Sequence, residues 1–181
     1  MKQFNLIIKT MLLTFLALFG HWFCIAQDKI LMHNIDSIVA VINKTYETCD
    51  SIILNNEEFL SESTDGGGEL IIYNCKNKLA KIEEWIGLSY GYRLRTFYSK
   101  DNKLIYVSEV HNEFKWNEDK NEYDTESTHQ IYSSFYYIEN DFYHYGKMTY
   151  ESEYKQWVEA PEPIGYVIKL VKTNKEYRNK N

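Results

Sequence analysis

Three short stretches of the sequence share one pattern: YNCKNKL from Tyr73, YSKDNKL from Tyr98 and YYIENDF from Tyr136. Each begins with an aromatic residue, has asparagine at its fifth position and ends in a large apolar residue. Asparagine tolerates the left-handed backbone conformation that a tight turn requires, and the flanking residues suit the two arms of a β-hairpin. The pattern therefore predicts three hairpin tips, at KNK, DNK and END.

Three hairpins imply six strands in the part of the chain that is rich in Ile, Val, Tyr, Phe and Thr. The predicted strands are about 68–75, 78–86, 91–99, 103–116, 129–138 and 141–151. Short links such as GLSYG leave no room for crossover helices, so we expect an antiparallel meander. The polar segment NEDKNEYD after Trp116 is the longest link, and we expect it to be an exposed loop.

A helix is predicted before the strands, over about 34–54, with Asn34 as its N-cap. Apolar residues recur there in steps of three and four: Ile35, Ile38, Val39, Ile42, Tyr46, Cys49 and Ile53. The stretch NNEEFLSESTDGGGE that follows indicates a flexible connection. The C-terminal segment 161–181 has apolar spacing that suits a short helix or a strand. Together these elements predict the α+β class, with the helix packed on a meander sheet that could be curled.

Residues 1–26 have the layout of a signal peptide: Lys2 and Lys9, an apolar run, and a small residue at Ala26. The run is shorter than the roughly 20 residues that span a bilayer, so we expect no transmembrane segment. These features predict export to the periplasm or the cell exterior. Cys24 raises the alternative of a lipoprotein, although bulky residues precede it.

The remaining residues, 27–181, are expected to form a single domain, because 44% of the 181 residues are hydrophobic and 25% are charged. Removal of Lys2 and Lys9 with the signal peptide takes the formal net charge from −6 to −8. An acidic protein repels phosphate groups, so nucleic acid is not an expected partner. Cys49 and Cys75 remain after processing, and they are either a disulfide pair or two small apolar fillers.

No catalytic, cofactor or metal-binding motif is recognised, and we therefore name no catalytic residue, metal ligand or cofactor. Glu109, His111 and Glu113 alternate along one strand, which is more typical of its wet side than of a metal site. Enzyme activity stays uncertain, and a hydrolase with an unrecognised site is one alternative.

Sixteen tyrosines suit both sheet packing and a binding surface. If each repeat pairs its first residue with its last, Arg93 lies opposite Glu109, and Tyr132 lies opposite Gly146. In the second hairpin the expected core residues are then Tyr92, Leu94, Tyr98, Leu104, Tyr106 and Val110. The expected water-facing residues are Arg93, Arg95, Glu109 and His111. In the first hairpin the apolar set is instead Leu70, Ile72, Ala80 and Ile82, on the other face. The predicted binding residues are Arg93, Arg95, Tyr143 and Tyr145.

The signal peptide, one helix, the Gly-rich link and the Tyr-rich pattern GELIIYNCKNKLAKIEEW…RTFYSKDNKLIYV resemble small exported proteins of unknown function from Bacteroidota. This resemblance covers residues from about 29 to 151 and implies the compartment and the fold class. The favoured function is an exported, non-catalytic binding or interaction module for an unknown protein, glycan or apolar ligand. The alternatives are a carrier that holds a lipid-like ligand in a curled sheet, and the hydrolase.

Overall fold

The computed structural model describes residues 29–60, 64–139 and 142–150, with the backbone alone for residues 139 and 142–150. The predicted signal peptide, Asn140 of the third repeat and the C-terminal segment 161–181 lie outside these residues. The chain divides into two compact units, Met1–Ser37 and Ile38–Asn181. Residues 29–37, the described part of the first unit, are helical.

The described elements form one antiparallel sheet with a helix before it. Helix α1 covers residues 29–45, and the 3₁₀ turn Tyr46–Thr48 follows it. A short helix α2, Asn56–Phe59, lies between the first two strands. The strands are β1 Asp50–Asn55, β2 Gly68–Cys75, β3 Lys78–Leu88, β4 Gly91–Lys100, β5 Lys103–Asn117, β6 Glu122–Glu139 and β7 Phe142–Tyr150. They lie side by side in chain order, so the predicted meander is confirmed and gains one strand.

The extra strand, β1, corrects the predicted end of the helix at residue 54. The helix is also already formed at residue 29, so Asn34 is not its N-cap. Ile53, which completes the helical stripe in the sequence, is exposed, whereas Leu54 is fully buried and lies opposite Leu70 of β2. A β-branched Ile-Ile pair favours a strand, and pairing with β2 overrides the helical spacing.

The hairpin tips are two-residue turns in which both residues have positive φ. Lys76 and Asn77 have φ of 52° and 63°, and Asp101 and Asn102 have φ of 52° and 62°. The predicted left-handed role of asparagine is thus confirmed at both described tips. Such turns match the right-handed twist of the flanking strands.

A β-bulge accompanies each tip and changes the predicted register. Tyr98 lies opposite Tyr106 rather than Leu104, because the turn is Asp101–Asn102 and the pairing also shifts between Tyr98 and Ser99. Arg93 therefore lies opposite His111 and not opposite Glu109. Similar shifts occur at Tyr73/Asn74 and at Tyr137/Ile138, and Tyr136 rather than Tyr132 lies opposite Gly146.

The β5–β6 hairpin corrects the predicted long loop. Strands β5 and β6 extend to Asn117 and from Glu122, and only residues 118–121 form the turn. Asn121 adopts a positive φ of 56°, which allows a tight reversal within the polar segment.

The Gly-rich link is also more ordered than its composition indicates. Gly66 N donates to Gly87 O at 3.3 Å, and Gly87 N donates to Gly67 O at 2.9 Å. A Cβ atom on Gly87 would lie 2.6 Å from Gly66 O, so a larger residue cannot occupy this approach. The link therefore continues the backbone pairing at the end of β3.

Two hydrophobic clusters lie on opposite faces of the sheet. One face, here called the core face, holds Leu54, Phe59, Leu70, Ile72, Leu79, Ile82, Phe97, Val107 and Ile138. On the other, the helix face, Ile42 of α1 packs with Ala80 and Tyr98. Tyr98 Oη also donates to Asn43 Oδ1 at 2.9 Å. Residues 38–46 thus cover the end of the helix face nearest the two described asparagine turns.

The predicted faces were right in the first hairpin for Leu70, Ile72 and Ile82. In the second hairpin Tyr98 is buried as predicted, and Leu104 and Tyr106 pack against the two clusters, but the residues assigned to water were placed on the wrong face. Phe97 and Val107 lie in the core, whereas Leu94 is exposed. Side chains two residues apart in a strand point to the same face. The core face of Phe97 and Val107 therefore also carries Arg93, Arg95, Glu109 and His111. Hydrophobicity alone favours the wrong face here, since charged residues occupy core positions.

Candidate functional site

Charged and polar residues form a row across the core face. This row lies next to the apolar row of Ile82, Phe97 and Val107. Glu84 of β3 lies opposite Arg95 of β4, Arg95 opposite Glu109 of β5, and Glu109 opposite Ser134 of β6. The adjacent row holds Arg93, His111 and Tyr132, which also lie opposite one another. We call these residues the polar cluster: Glu84, Arg93, Arg95, Glu109, His111, Tyr132 and Ser134.

Ion pairs connect three of the four strands that carry the cluster, β3, β4 and β5. Arg95 Nε donates to Glu109 Oε2 at 2.9 Å, and Arg95 Nη1 lies 3.5 Å from Glu84 Oε1. Arg93 Nη2 lies 3.6 Å from the same Glu84 oxygen. The Glu84 side chain is fully buried, so the two guanidinium groups compensate a carboxylate that is shielded from water. Two carboxylates and two guanidinium groups leave the ion-paired part formally neutral.

Hydroxyl and imidazole groups lie at the β6 side of the cluster. Tyr132 Oη, Ser134 Oγ and His111 Nε2 are buried and meet no partner in hydrogen-bond geometry. Burial raises the pKa of Tyr132 to about 12, and the nearby Ser134 and Tyr136 hydroxyls influence it as well. That influence shows proximity only, because the Tyr132 and Ser134 hydroxyls lack the angles and distances of a hydrogen bond.

His111 is held in its neutral form by its surroundings. Burial lowers its pKa, and Arg93 acts in the same direction, while Glu113 and Glu109 oppose them. Neither His111 Nε2 nor Ser134 Oγ makes a hydrogen bond, so they lack the contact of a nucleophile and its general base. No group of three or more His, Cys, Asp or Glu residues within the described ranges could hold a metal ion.

Of the four predicted binding residues, the structure describes the side chains of Arg93 and Arg95. These lie in the polar cluster, and their side chains are 31% and 19% exposed. Tyr143 lies opposite Ile138, and Tyr145 lies opposite Tyr137. Nothing further is described of the two β7 tyrosines, so their binding role stays a prediction.

A second surface lies on the helix face, beyond the part that residues 38–46 cover. Trp85 of β3, Leu94 of β4 and Val110 of β5 lie side by side, and Trp85 and Leu94 are 37% and 39% exposed. The next positions on this face hold Tyr92 and Phe114, whose ring centroids are 6.3 Å apart. A continuous apolar strip therefore faces outward across three strands.

The polar residues around this strip carry no charge. On the same face of β4, β5 and β6 they are Thr96, Ser108, Asn112, Thr128, Gln130 and Ser133. Charge resumes with Glu69 and Glu83, towards β2 and the helix-covered end. We call the following set the neutral surface: Trp85, Tyr92, Leu94, Val110 and Phe114 with the six polar residues just named.

The tip of the β5–β6 hairpin extends this arrangement. Trp116 and Tyr123 lie opposite one another, with ring centroids 5.0 Å apart in an edge-to-face contact. Both are exposed. Alternation along β5 places Trp116 on the same face as Phe114, so two further rings lie beside the neutral surface.

Sequence reasoning did not identify the neutral surface, because the pairing model assigned Leu94 and Tyr92 to the core. One signal was present: the alternate residues from Tyr92 to Thr96 and from Ser108 to Phe114 include no charge, whereas those between them include Arg93, Arg95 and Glu109. The cysteines, left open by the sequence, are joined by a disulfide between Cys49 and Cys75.

Comparisons with protein families, curated proteins and solved structures give no match to this chain. Within the described part of the chain, no helix has the length and apolarity needed to cross a membrane. The chemistry of the polar cluster and of the neutral surface is therefore what bears on function.

Proposed function

We propose that this protein is an exported, non-catalytic binding module and that the neutral surface is its binding site. The observation that carries the proposal is the strip formed by exposed Trp85 and Leu94 and the half-buried Val110, side by side on one sheet face. Exposed apolar patches on soluble domains are often functional, and tryptophan and tyrosine are the residues most enriched at binding hot spots.

The distribution of exposed apolar side chains supports the same location. Eight large apolar residues are exposed within the described ranges: Ile30, Val41, Ile53, Trp85, Tyr90, Leu94, Trp116 and Tyr123. Four of them, Trp85, Leu94, Trp116 and Tyr123, lie on or beside the neutral surface. Isolated exposed residues need no explanation, but a cluster on one sheet face does.

The polar cluster is better explained as part of the folded scaffold than as the binding site. Its carboxylates and guanidinium groups are committed to one another, so little charge is left to recognise a ligand. The carrier and hydrolase alternatives gain no supporting observation, because the described strands form an open sheet and His111 Nε2 and Ser134 Oγ do not hydrogen-bond to each other.

Export is part of the proposal, and it depends on the layout of residues 1–26. The Cys49–Cys75 disulfide is compatible with an oxidising compartment. Mass spectrometry of the protein isolated from its native cells should find a chain that begins near Gln27. A full-length cytoplasmic chain would contradict export, and a lipid on Cys24 would replace a free exported protein with an anchored one.

A sedimentation assay tests the binding site. Purified protein is mixed with the cell-envelope fraction of its native cells, and bound protein is measured in the pellet. We expect the wild type to sediment and the double variant Trp85→Ser with Leu94→Ser to lose at least nine-tenths of the bound protein.

The matched control is Ile53→Ser, which removes an apolar side chain that is even more exposed, from edge strand β1. It should bind like the wild type. Equal sedimentation of all three proteins, with unchanged melting temperatures, would contradict the neutral surface as the binding site.

A further inference from the structure

The neutral surface combines two kinds of group that a ligand must satisfy together. Aromatic and aliphatic side chains supply flat apolar area at Trp85, Tyr92 and Leu94. The six uncharged polar side chains lie between and beside them on β4, β5 and β6. Hydroxyl and amide groups both donate and accept, so the surface is open to a ligand that does the same.

The absence of charge on this surface limits the class of ligand. The chain has a net charge of −6, and charged residues make up a quarter of it. An anionic ligand would meet an acidic protein and find no lysine or arginine on the surface. A cationic ligand would find carboxylates only at the border, where Glu69 lies opposite Trp85 and Glu83 is paired with Lys81. Charge complementarity therefore favours an uncharged ligand.

A second copy of the chain fits less well. Two sheets that pack face to face enclose a dry layer about 10 Å thick, filled by interdigitating side chains. Thr96, Ser108 and Asn112 would be buried in such a layer, and hydroxyl or amide groups buried without hydrogen bonds destabilise an interface. A lipid tail is disfavoured for the same reason, since it offers these groups no partner.

We propose that the neutral surface binds an uncharged polysaccharide chain. A sugar ring has faces of C–H groups that can lie on Trp85 and Leu94, and a rim of hydroxyls that can pair with Asn112, Gln130 and Ser133. Successive rings of a chain can contact successive positions across β3, β4 and β5, with Trp116 and Tyr123 beside them. This inference rests on the proposed function and adds the class of ligand.

Affinity electrophoresis tests the ligand class. The protein migrates in native gels that contain hydroxyethylcellulose, galactomannan or amylopectin as neutral probes, or polygalacturonate as an anionic probe. We expect at least one neutral probe to retard the wild type, and polygalacturonate to have no effect. Retardation should persist in 0.5 M salt, because uncharged groups make the contacts.

Two variants test the two kinds of group separately. Trp85→Ser should weaken binding to the retarding polysaccharide at least tenfold. The pair Asn112→Ala with Gln130→Ala, which leaves the apolar strip intact, should weaken it about tenfold. Ile53→Ser is the control and should not change it, and circular dichroism establishes that each variant folds.

Several outcomes would overturn the ligand class. No retardation by any neutral probe, retardation by polygalacturonate alone, or equal retardation of wild type and Trp85→Ser would each do so. If envelope sedimentation still depends on Trp85 and Leu94, the proposed function survives and the ligand is of another class. A dimer in analytical ultracentrifugation that Trp85→Ser dissociates would assign the surface to a second copy.

Discussion

Glu84 shows how a charged residue can occupy a core position in this sheet. Its side chain is fully buried, and guanidinium groups of Arg93 and Arg95 lie within 3.6 Å of one of its oxygens. Removal of one partner from such a network leaves a buried charge without compensation, which costs more than the pair contributes. The network therefore connects β3, β4 and β5 through ion pairs between their side chains.

Replacing Arg95 tests this account. Arg95→Ala removes the partner shared by Glu84 and Glu109, and we expect the free energy of unfolding in urea to fall by about 3 kcal/mol. Arg95→Leu combined with Glu109→Leu should cost clearly less, since Glu109 is then not left without its partner and Glu84 keeps Arg93. Lys78→Ala, which breaks the exposed pair with Asp101, is the control and should change stability by less than about 1 kcal/mol. Similar losses for Arg95→Ala and the control would contradict the network.

His111 predicts how stability depends on pH. Its pKa is lowered by burial, so the unfolded chain binds the proton more readily than the folded one. The stability that depends on neutral His111 is present above the unfolded pKa of about 6.5 and is lost as pH falls through the lower, folded pKa. We expect the free energy of unfolding to fall between pH 7.5 and pH 5.5, and to fall less steeply in His111→Gln.

His33→Gln, a change at an exposed helical position, is the matched control for this experiment. It should keep the pH dependence of the wild type. If His111→Gln also keeps it, the imidazole is not a titrating group of the folded state in this range.

At the scale of elements, local signals could be read from the sequence and distant ones could not. Asn77 and Asn102 define turns through their own backbone preference, so the hairpins were predicted within one or two residues. The register depends in part on a β-bulge beside each tip. A bulge adds one residue to one strand of the pair, and the amino-acid composition does not show where it lies. The core face of β4 and β5 was predicted wrongly because Arg95 and Glu109 form an ion pair that allows both side chains to be buried. A pattern of apolar residues does not reveal such a pair.

The packing of helix α1 gives a prediction at this scale. Ile42 is buried against Ala80 and Tyr98, so Ile42→Asp should place an unpaired charge in that cluster. We expect a loss of about 3 to 5 kcal/mol, measured as the free energy of unfolding in urea. Lys44→Asp, two residues away on the exposed side, should be nearly silent. Equal midpoints for the two variants would mean that α1 does not contribute to the folded sheet.

For the molecule as a whole, the two sides of the sheet differ most along β4 and β5, where charge is sorted between them. Along β4 and β5 the core face carries Arg93, Arg95, Glu109 and His111, and the opposite side carries uncharged residues. Strict alternation makes this sorting possible, since each strand presents its odd and even residues to different surroundings. The candidate binding surface could be found only once register and face were known, which is why the sequence led to Arg93 and Arg95 instead.

The disulfide gives a prediction for the whole molecule. Cys49 and Cys75 are 26 residues apart and connect the segment after the 3₁₀ turn to the end of β2. On the chain-entropy model, closing a loop of that length stabilises the folded state by about 3.5 kcal/mol. The double variant Cys49→Ser with Cys75→Ser should lose stability of that order, and reductant should lower the wild type to the same level. A reductant effect on the double variant itself would point to another cause.

The order of the strands also bears on how the chain reaches its folded state. Each strand pairs with the strand before it and the strand after it in sequence, and none is inserted between earlier ones. Contacts that join near neighbours along the chain close small loops, and proteins rich in them fold faster than sheets of the same size with distant pairings. Each hairpin with an asparagine turn can form early and then receive its neighbour. Assembly of this sheet can thus follow the direction in which the polypeptide emerges, one strand at a time.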